Sequence, residues 1–260
     1  MASGPHLSFD RVSKIYQSAD GPVHALDGVT FDVGRREFVS LLGPSGCGKS
    51  TLLLISAGLL PKSGGTITIE GKPVQGPQTQ LGIVFQSPVL LDWRRVLDNV
   101  MLQIEVRRLR RDQYQKRAEQ LLASVGLEGF EHKYPFELSG GMRQRVAICR
   151  ALIHDPPLLL MDEPFGALDA LTREQMILDL QKLWLESQKV VFFVTHSIPE
   201  AVFLSDRVVV MSPRPGKVEE IFTIDLPRPR HLDIRETKEF AAYAKAIRDI
   251  FQAYGVLKDV

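Results

Sequence analysis

The sequence predicts an α/β protein with a β-rich N-terminal part and an α-helical segment inserted into the α/β core. Three observations predict it. Short apolar strands recur at both ends of the chain, a glycine-rich turn joins one of them to a helix, and the middle third changes to helical periodicity. Leu7–Tyr16 and Val23–Val33 alternate apolar and polar residues, with Gly21-Pro22 as the break between them. Glu37–Leu42 is a mostly apolar run of the kind buried on both faces. It leads through Gly43–Gly48 into a helix from about Lys49 to Ala57. Pro61–Gly65 ends that helix, Thr66–Glu70 with Gly71-Lys72 predicts a hairpin, and Leu81–Phe85 is a further strand.

From Ser87 to about Asp155 the chain reads as helical. Arg94–Gln103, Arg111–Val125 and Gly140–His154 carry apolar residues at spacings of three and four. Strands return at Leu158–Met161, Val190–Thr195 and Arg207–Met211, separated by helices. Thr172-Arg-Glu-Gln175 reads as a capping box opening a helix to about Gln188. The Pro/Arg segment Leu226–Arg230 then precedes an amphipathic helix over roughly Thr237–Tyr254. The expected organisation is one domain: a core from 1–86 and 156–225, a helical insert over 87–155, and a C-terminal extension over 226–260. No internal repeat and no low-complexity tract interrupts it.

Composition narrows the class. The chain has 260 residues, with 32 Lys and Arg against 31 Asp and Glu. A net charge of +1 argues against a polybasic protein that neutralises phosphates along its whole surface, and against an acidic disordered one. With 44% hydrophobic residues an ordinary core is available. The longest apolar runs, such as Leu52–Leu60 and Val190–Val194, fall short of the roughly 18–20 residues that span a bilayer. Met1–Asp10 carries no basic-then-apolar targeting pattern. Two cysteines, Cys47 and Cys149, are too few for a disulfide scaffold. A soluble, cytoplasmic protein is expected. The basic run Arg107, Arg108, Arg110 and Arg111 is surrounded by acidic residues and reads as a solvated helix end. Arg228 and Arg230, in the Pro/Arg segment, read as an exposed extended turn.

The chemistry begins at Gly43-Pro-Ser-Gly-Cys-Gly-Lys49-Ser50, a complete P-loop pattern set between a strand and a helix. Glycines let backbone N–H groups turn toward phosphate oxygens, and the helix that follows adds its N-terminal partial charge. Lys49 supplies a point charge, and the Ser50 hydroxyl suits a magnesium ion. Downstream, the apolar strand Leu158–Met161 ends in Asp162 and Glu163. In phosphoryl transfer such an aspartate holds Mg²⁺, and a second carboxylate at the strand mouth can polarise an attacking water. Leu138-Ser-Gly-Gly-Met142 opens the last helix of the insert, making Ser139, Gly140 and Gly141 a second exposed helix start. Gln86 closes one strand where the insert begins, and His196 closes another.

In order along the chain, Tyr16, Gly43–Thr51, Gln86, Leu138–Met142, Leu158–Glu163, Gly166–Asp169 and His196 resemble the motifs of the ATP-binding-cassette ATPases. The resemblance covers nearly the whole chain. It implies ATP held by Tyr16, stacked on adenine, and by Gly43, Pro44, Ser45, Gly46, Cys47, Gly48, Lys49, Ser50 and Thr51. It implies Mg²⁺ held by Ser50, Asp162 and Gln86, with Glu163 as general base, His196 at the γ-phosphate and Gln86 near the attacking water. In such proteins two subunits pair head to tail around two ATP molecules. Leu138, Ser139, Gly140, Gly141 and Met142 would then face the partner's nucleotide, and Asp169 would touch the partner subunit. One departure is visible: the fifth signature residue, commonly Gln, is Met142 here.

About 90 residues separate Lys49 from Ser139, too few for the long coiled coil of chromosome-organising relatives. With one cassette and no fused membrane helices, the resemblance implies the stand-alone ATPase of an importer, peripheral on the cytoplasmic side of the inner membrane. Its partners would be a second ATPase subunit, an integral membrane permease docked near Gln86–Arg95 and, indirectly, an external solute-binding protein, with no nucleic acid. Leu91–Asn99, Phe165–Arg173 and Ser212–Gly216 through Leu226–Arg230 are similar to the nitrate/sulfonate/taurine group. The rival expectation is a soluble cassette ATPase that switches a cytoplasmic or nucleic-acid partner. The solute itself is not legible in this subunit.

Overall fold

The computed structural model describes residues 4–19 and 21–256. The first three residues of the opening segment and the last four of the C-terminal extension lie outside the described residues. In chain order the elements are β1 (Leu7–Ser18), β2 (Gly21–Val33), β3 (Phe38–Leu42), α1 (Lys49–Ser56), β4 (Gly64–Ile69), β5 (Lys72–Pro73) and β6 (Leu81–Val84). There follow α2 (Val96–Val106), α3 (Arg111–Ser124), α4 (Gly140–Leu152), β7 (Leu158–Asp162), α5 (Ala170–Ser187) and β8 (Val190–Thr195). Last come α6 (Ile198–Leu204), β9 (Arg207–Met211), β10 (Val218–Thr223) and α7 (Lys238–Ala253). They group into two compact units, one of residues up to 79 and from 188 onward, the other of 80–187.

The first unit holds two sheets. β1 pairs antiparallel with β2 and β4, and β4 with β5. Pro22 costs no ladder bond of consequence here, because β2 is an edge strand of that sheet. The second sheet has β3 parallel to β8 and β9, with β10 antiparallel on β9. Every residue of β3 and β8 is buried, which is why these strands read as mostly apolar runs. Phe9 and Phe31 stack at 4.4 Å, and Phe192 meets both at 5.6 and 6.0 Å, so one aromatic cluster joins the two sheets. Each such ring contributes about 1.5–3 kcal/mol on burial.

The second unit pairs β6 and β7 in parallel and carries the helices α2 to α5. Val96, Val100, Ile104, Ala118, Leu122, Val146 and Ile153 form a continuous helical core. The basic run lies at the α2–α3 corner as a charged surface: Arg111 bonds to Asp98 and Glu105, and Arg110 to Asp112.

Three expectations are corrected, and one strand is added. α2 starts at Val96 rather than Arg94, because the buried Asn99 amide holds the preceding loop. Its Nδ2 donates to the carbonyls of Leu91, Arg94 and Arg95, and its Oδ1 accepts from Leu91 N. The α5 cap is Asp169, not Thr172: Asp169 Oδ1 accepts from Thr172 N at 3.0 Å, and Thr172 is already inside the helix. β10 is a strand that the alternation rule misses, since Glu219 and Glu220 interrupt its pattern on an exposed edge. Finally, Arg230 is buried and Arg228 half-buried, each bonded to backbone carbonyls, rather than lying in an exposed turn.

Candidate functional site

In the first unit the glycine-rich turn leaves the buried end of β3 and enters α1. Lys49 is 4% exposed, and its Nζ donates to the carbonyls of Gly43 at 2.9 Å and Pro44 at 3.0 Å. The ammonium is thus folded back under its own loop, whose Ser45, Gly46 and Ser50 are exposed. Gly48 has φ 102°, and a Cβ there would press on Leu26 Cδ2 at 2.6 Å and Ala25 O at 2.8 Å. Both the turn and the close approach require glycine. No side chain caps α1 at Gly48.

Two further predicted residues lie on this unit. Tyr16 is partly exposed at the end of β1, with its hydroxyl 3.2 Å from Thr51 Oγ1 and Lys14 Nζ 4.9 Å from its ring centre. It therefore stands beside the first turn of α1, not in the core. His196 is exposed between β8 and α6. Around it, Thr195 Oγ1 donates to Glu200 Oε2 at 2.6 Å and accepts from Ser197 N at 3.0 Å.

In the second unit β7 delivers Asp162 and Glu163, both half-buried. Glu163 adopts φ 41°, in the left-handed region that costs a non-glycine residue about 1–3 kcal/mol. Its carbonyl accepts from Gly166 N at 3.1 Å, and Pro164 and Phe165 are buried behind it. Gln86, exposed at the end of β6, faces the same turn: a Cβ on Gly166 would lie 3.6 Å from Gln86 Nε2 and 3.9 Å from Glu163 Oε2. The amide and the carboxylate therefore converge on one small space.

Ser139 caps α4, its Oγ accepting from Met142 N at 3.3 Å, while Leu138 is buried beneath it. A Cβ on Gly140 would meet nothing within 4 Å, whereas one on Gly141 would collide with Thr172 at the start of α5. The two helix starts thus lie side by side. Met142 packs against the helical core, which accounts for an apolar residue at that position. The charged form of Asp169 accepts hydrogen bonds from Thr172, which holds its carboxyl below the usual carboxylate range. A depressed folded pKa gives stability that is present above the unfolded value and lost as pH falls through the folded one. Asp169→Ala should accordingly lower the melting temperature at pH 7, with a deficit that narrows in acid. A deficit independent of pH would contradict the cap.

A family model described as ABC transporter matches residues 26–166, more than half of the chain. An uncharacterized ABC transporter ATP-binding protein of Methanocaldococcus jannaschii is 48% identical over 95% of this chain and 91% of its own. This chain belongs to the ABC transporter family. The taurine import ATP-binding protein TauB of Rhizobium johnstonii is 49% identical, covering 95% of this chain and 97% of its own. A solved ATP-binding cassette, dimeric and in a post-hydrolysis state with ADP and Pi, is 33% identical with a TM-score of 0.75. It is matched over 85% of this chain and all of its own. The chain is therefore an ABC ATPase of mixed α/β fold, which binds and hydrolyses ATP.

The geometry of this ABC ATPase also reveals residues that motif reading passes over. Gly216 bonds on both sides to the strand Ala25–Asp27: its N–H donates to Ala25 O and its carbonyl accepts from Asp27 N, each at 3.0 Å. A Cβ there would strike Cys47 O in the phosphate loop. The segment Ser212–Gly216 thus braces that loop from behind. In the other unit Arg150 donates to the carbonyls of Pro88 and Val89, both at 2.7 Å, so that with Asn99 it pins Gln86–Arg95 at two places. Trp93, 74% exposed, rides on that pinned loop, and Phe136, 72% exposed, stacks on Tyr134 with Arg95 over the Tyr134 ring. Among the described residues, no helix is long and apolar enough to cross a membrane.

Proposed function

We propose that this ABC ATPase is the ATP-hydrolysing subunit of a membrane importer of the nitrate/sulfonate/taurine type. The observation that carries the reading is the 49% identity, across nearly all of both chains, with a taurine import ATP-binding protein. Two copies pair head to tail and act on separate permease subunits from the cytoplasmic membrane face; the solved cassette that this chain resembles is dimeric. The pinned loop Gln86–Arg95, which exposes Trp93, offers an aromatic surface for a permease helix. A solute-binding protein and the permease select the solute.

The residues divide the work as follows. Gly43–Thr51 wraps the phosphates with backbone N–H groups, and Lys49 exchanges its two loop carbonyls for phosphate oxygens. Tyr16 stacks on adenine. Glu163 takes a proton from the attacking water, which Gln86 orients, and His196 donates to the γ-phosphate. Ser139, Gly140 and Gly141 of the second copy present a helix start to the same phosphate, and Asp169 meets the facing subunit. The hydroxyl of Ser50, the carboxylate of Asp162 and the amide oxygen of Gln86 are hard oxygen donors, so the set fits Mg²⁺. When bound, that ion would neutralise charge on the β- and γ-phosphates. ATP binding favours the closed dimer and draws the permease outward-facing, and hydrolysis releases it.

Gly216→Ala should weaken ATP binding by about tenfold or more, since the phosphate loop must shift to admit the methyl group. Calorimetric titration with ATP checks this, and an unchanged affinity would refute the brace. The importer reading is tested by capturing tagged chain from gently solubilised membranes and identifying what co-purifies. A multi-spanning permease supports it; cytosolic or nucleic-acid partners alone would leave the ATPase standing and remove the transport reading.

A further inference from the structure

A helix leaves its last four carbonyls without partners of its own. In α6, a helix of seven residues, Ala201 O accepts from Ser205 N, and the carbonyls of the last three residues are taken by two arginines of the C-terminal extension. Arg230 Nη1 donates to the carbonyls of Val202, Phe203 and Ser205 at 3.0, 2.8 and 2.8 Å. Arg228 Nη2 donates to Leu204 O at 2.6 Å, and the same guanidinium pairs with Asp206 at 2.9 Å. Arg230 Nη2 also reaches Leu226 O at 3.1 Å, which ties α6 to the segment after β10. The Arg230 side chain is almost wholly buried, and burial, with the Arg228 charge second, brings its pKa down to about 10. It remains a cation at neutral pH, which suits the negative end of the helix dipole.

The other end of α6 begins at Ile198, two residues after His196. Ser197 caps it, its Oγ accepting from Glu200 N, and Glu200 in turn accepts from Thr195 Oγ1 on the far side of His196. His196 is therefore flanked by two residues locked to α6, while α6 is locked at its other end to the extension. We infer that Arg230 is a positioning residue for His196, with α6 as the rigid link, so that the C-terminal extension sets the reach of the imidazole toward the nucleotide. This rests on the assignment of His196 to the γ-phosphate.

Arg230→Lys keeps the charge but loses the planar fork that serves several carbonyls at once. It should lower kcat by about tenfold while the KM for ATP moves less than about twofold, because misplacing a group by a fraction of an ångström acts on the transition state. The imidazole resonances of His196 should shift as well. Leu122→Ala, in the helical core, serves as a destabilised control that lowers Tm without moving those resonances. Should Arg230→Met fail to fold, Arg230→Lys and Glu200→Ala interrupt the same link more mildly. An Arg230→Lys protein with wild-type kcat and unshifted His196 resonances would overturn the inference. If His196→Ala itself left kcat unchanged, the γ-phosphate assignment would fall instead, and the resonance shift would still decide whether the link exists.

Discussion

Glu163→Gln is expected to stop turnover while leaving ATP bound. The amide has the size and shape of the carboxylate, so the turn held by Gly166 N–H and by buried Pro164 and Phe165 is retained. What is lost is the proton acceptor. Positioned general bases contribute about 10²–10⁴-fold, and the rate should fall within that range. The strained φ of 41° at Glu163 aims its side chain at the space shared with Gln86. A backbone cost of that kind persists where the surroundings enforce it, commonly at functional positions. Phosphate release and equilibrium ATP binding, measured on the same preparation, separate the two effects. A variant that hydrolyses ATP at a normal rate would remove Glu163 from the role of base.

Lys49→Ala should act one step earlier, on binding. The ammonium is buried and satisfied by Gly43 O and Pro44 O, so its removal deletes a cation and strands two carbonyls inside the loop. Hydrogen bonds to charged groups are worth about 1.5–3 kcal/mol. One such contact to phosphate therefore corresponds to about a ten- to hundredfold loss of ATP affinity. Fluorescent-nucleotide titration reads this directly. Equal affinity in the variant would refute the phosphate role of Lys49. The contrast between the two variants is diagnostic, since one retains nucleotide without turnover and the other fails to hold it.

Much of the fold was legible because its signals are local. β3 and β8 are buried on both faces and so appear as apolar runs; the phosphate loop, the Asp162-Glu163 strand end and the Ser139 cap are contiguous motifs. What escaped depends on partners distant in sequence. β10 carries adjacent glutamates and is held by its pairing with β9. Arg230 looks like a surface residue just after Pro229, yet its partners are carbonyls 25 to 28 residues earlier, exposed only by the end of α6. Asn99 sits inside a helical pattern, and only its amide bonds reveal that it organises the loop before α2. Gly216 belongs to a Pro/Gly-rich turn whose significance lies in the carbonyl of Cys47 behind it. In each case a polar or small residue acts on the backbone of another segment, and no periodicity records that.

The proposed assembly of two copies around ATP underlies the nucleotide- and partner-facing roles given to Ser139, Gly140, Gly141 and Asp169. Sedimentation of Glu163→Gln with and without ATP and Mg²⁺ tests it most directly. The 29.1 kDa chain should sediment as a monomer without nucleotide and at twice that mass with ATP, because hydrolysis can no longer reopen the pair. A variant that binds ATP and remains a monomer would contradict the shared site.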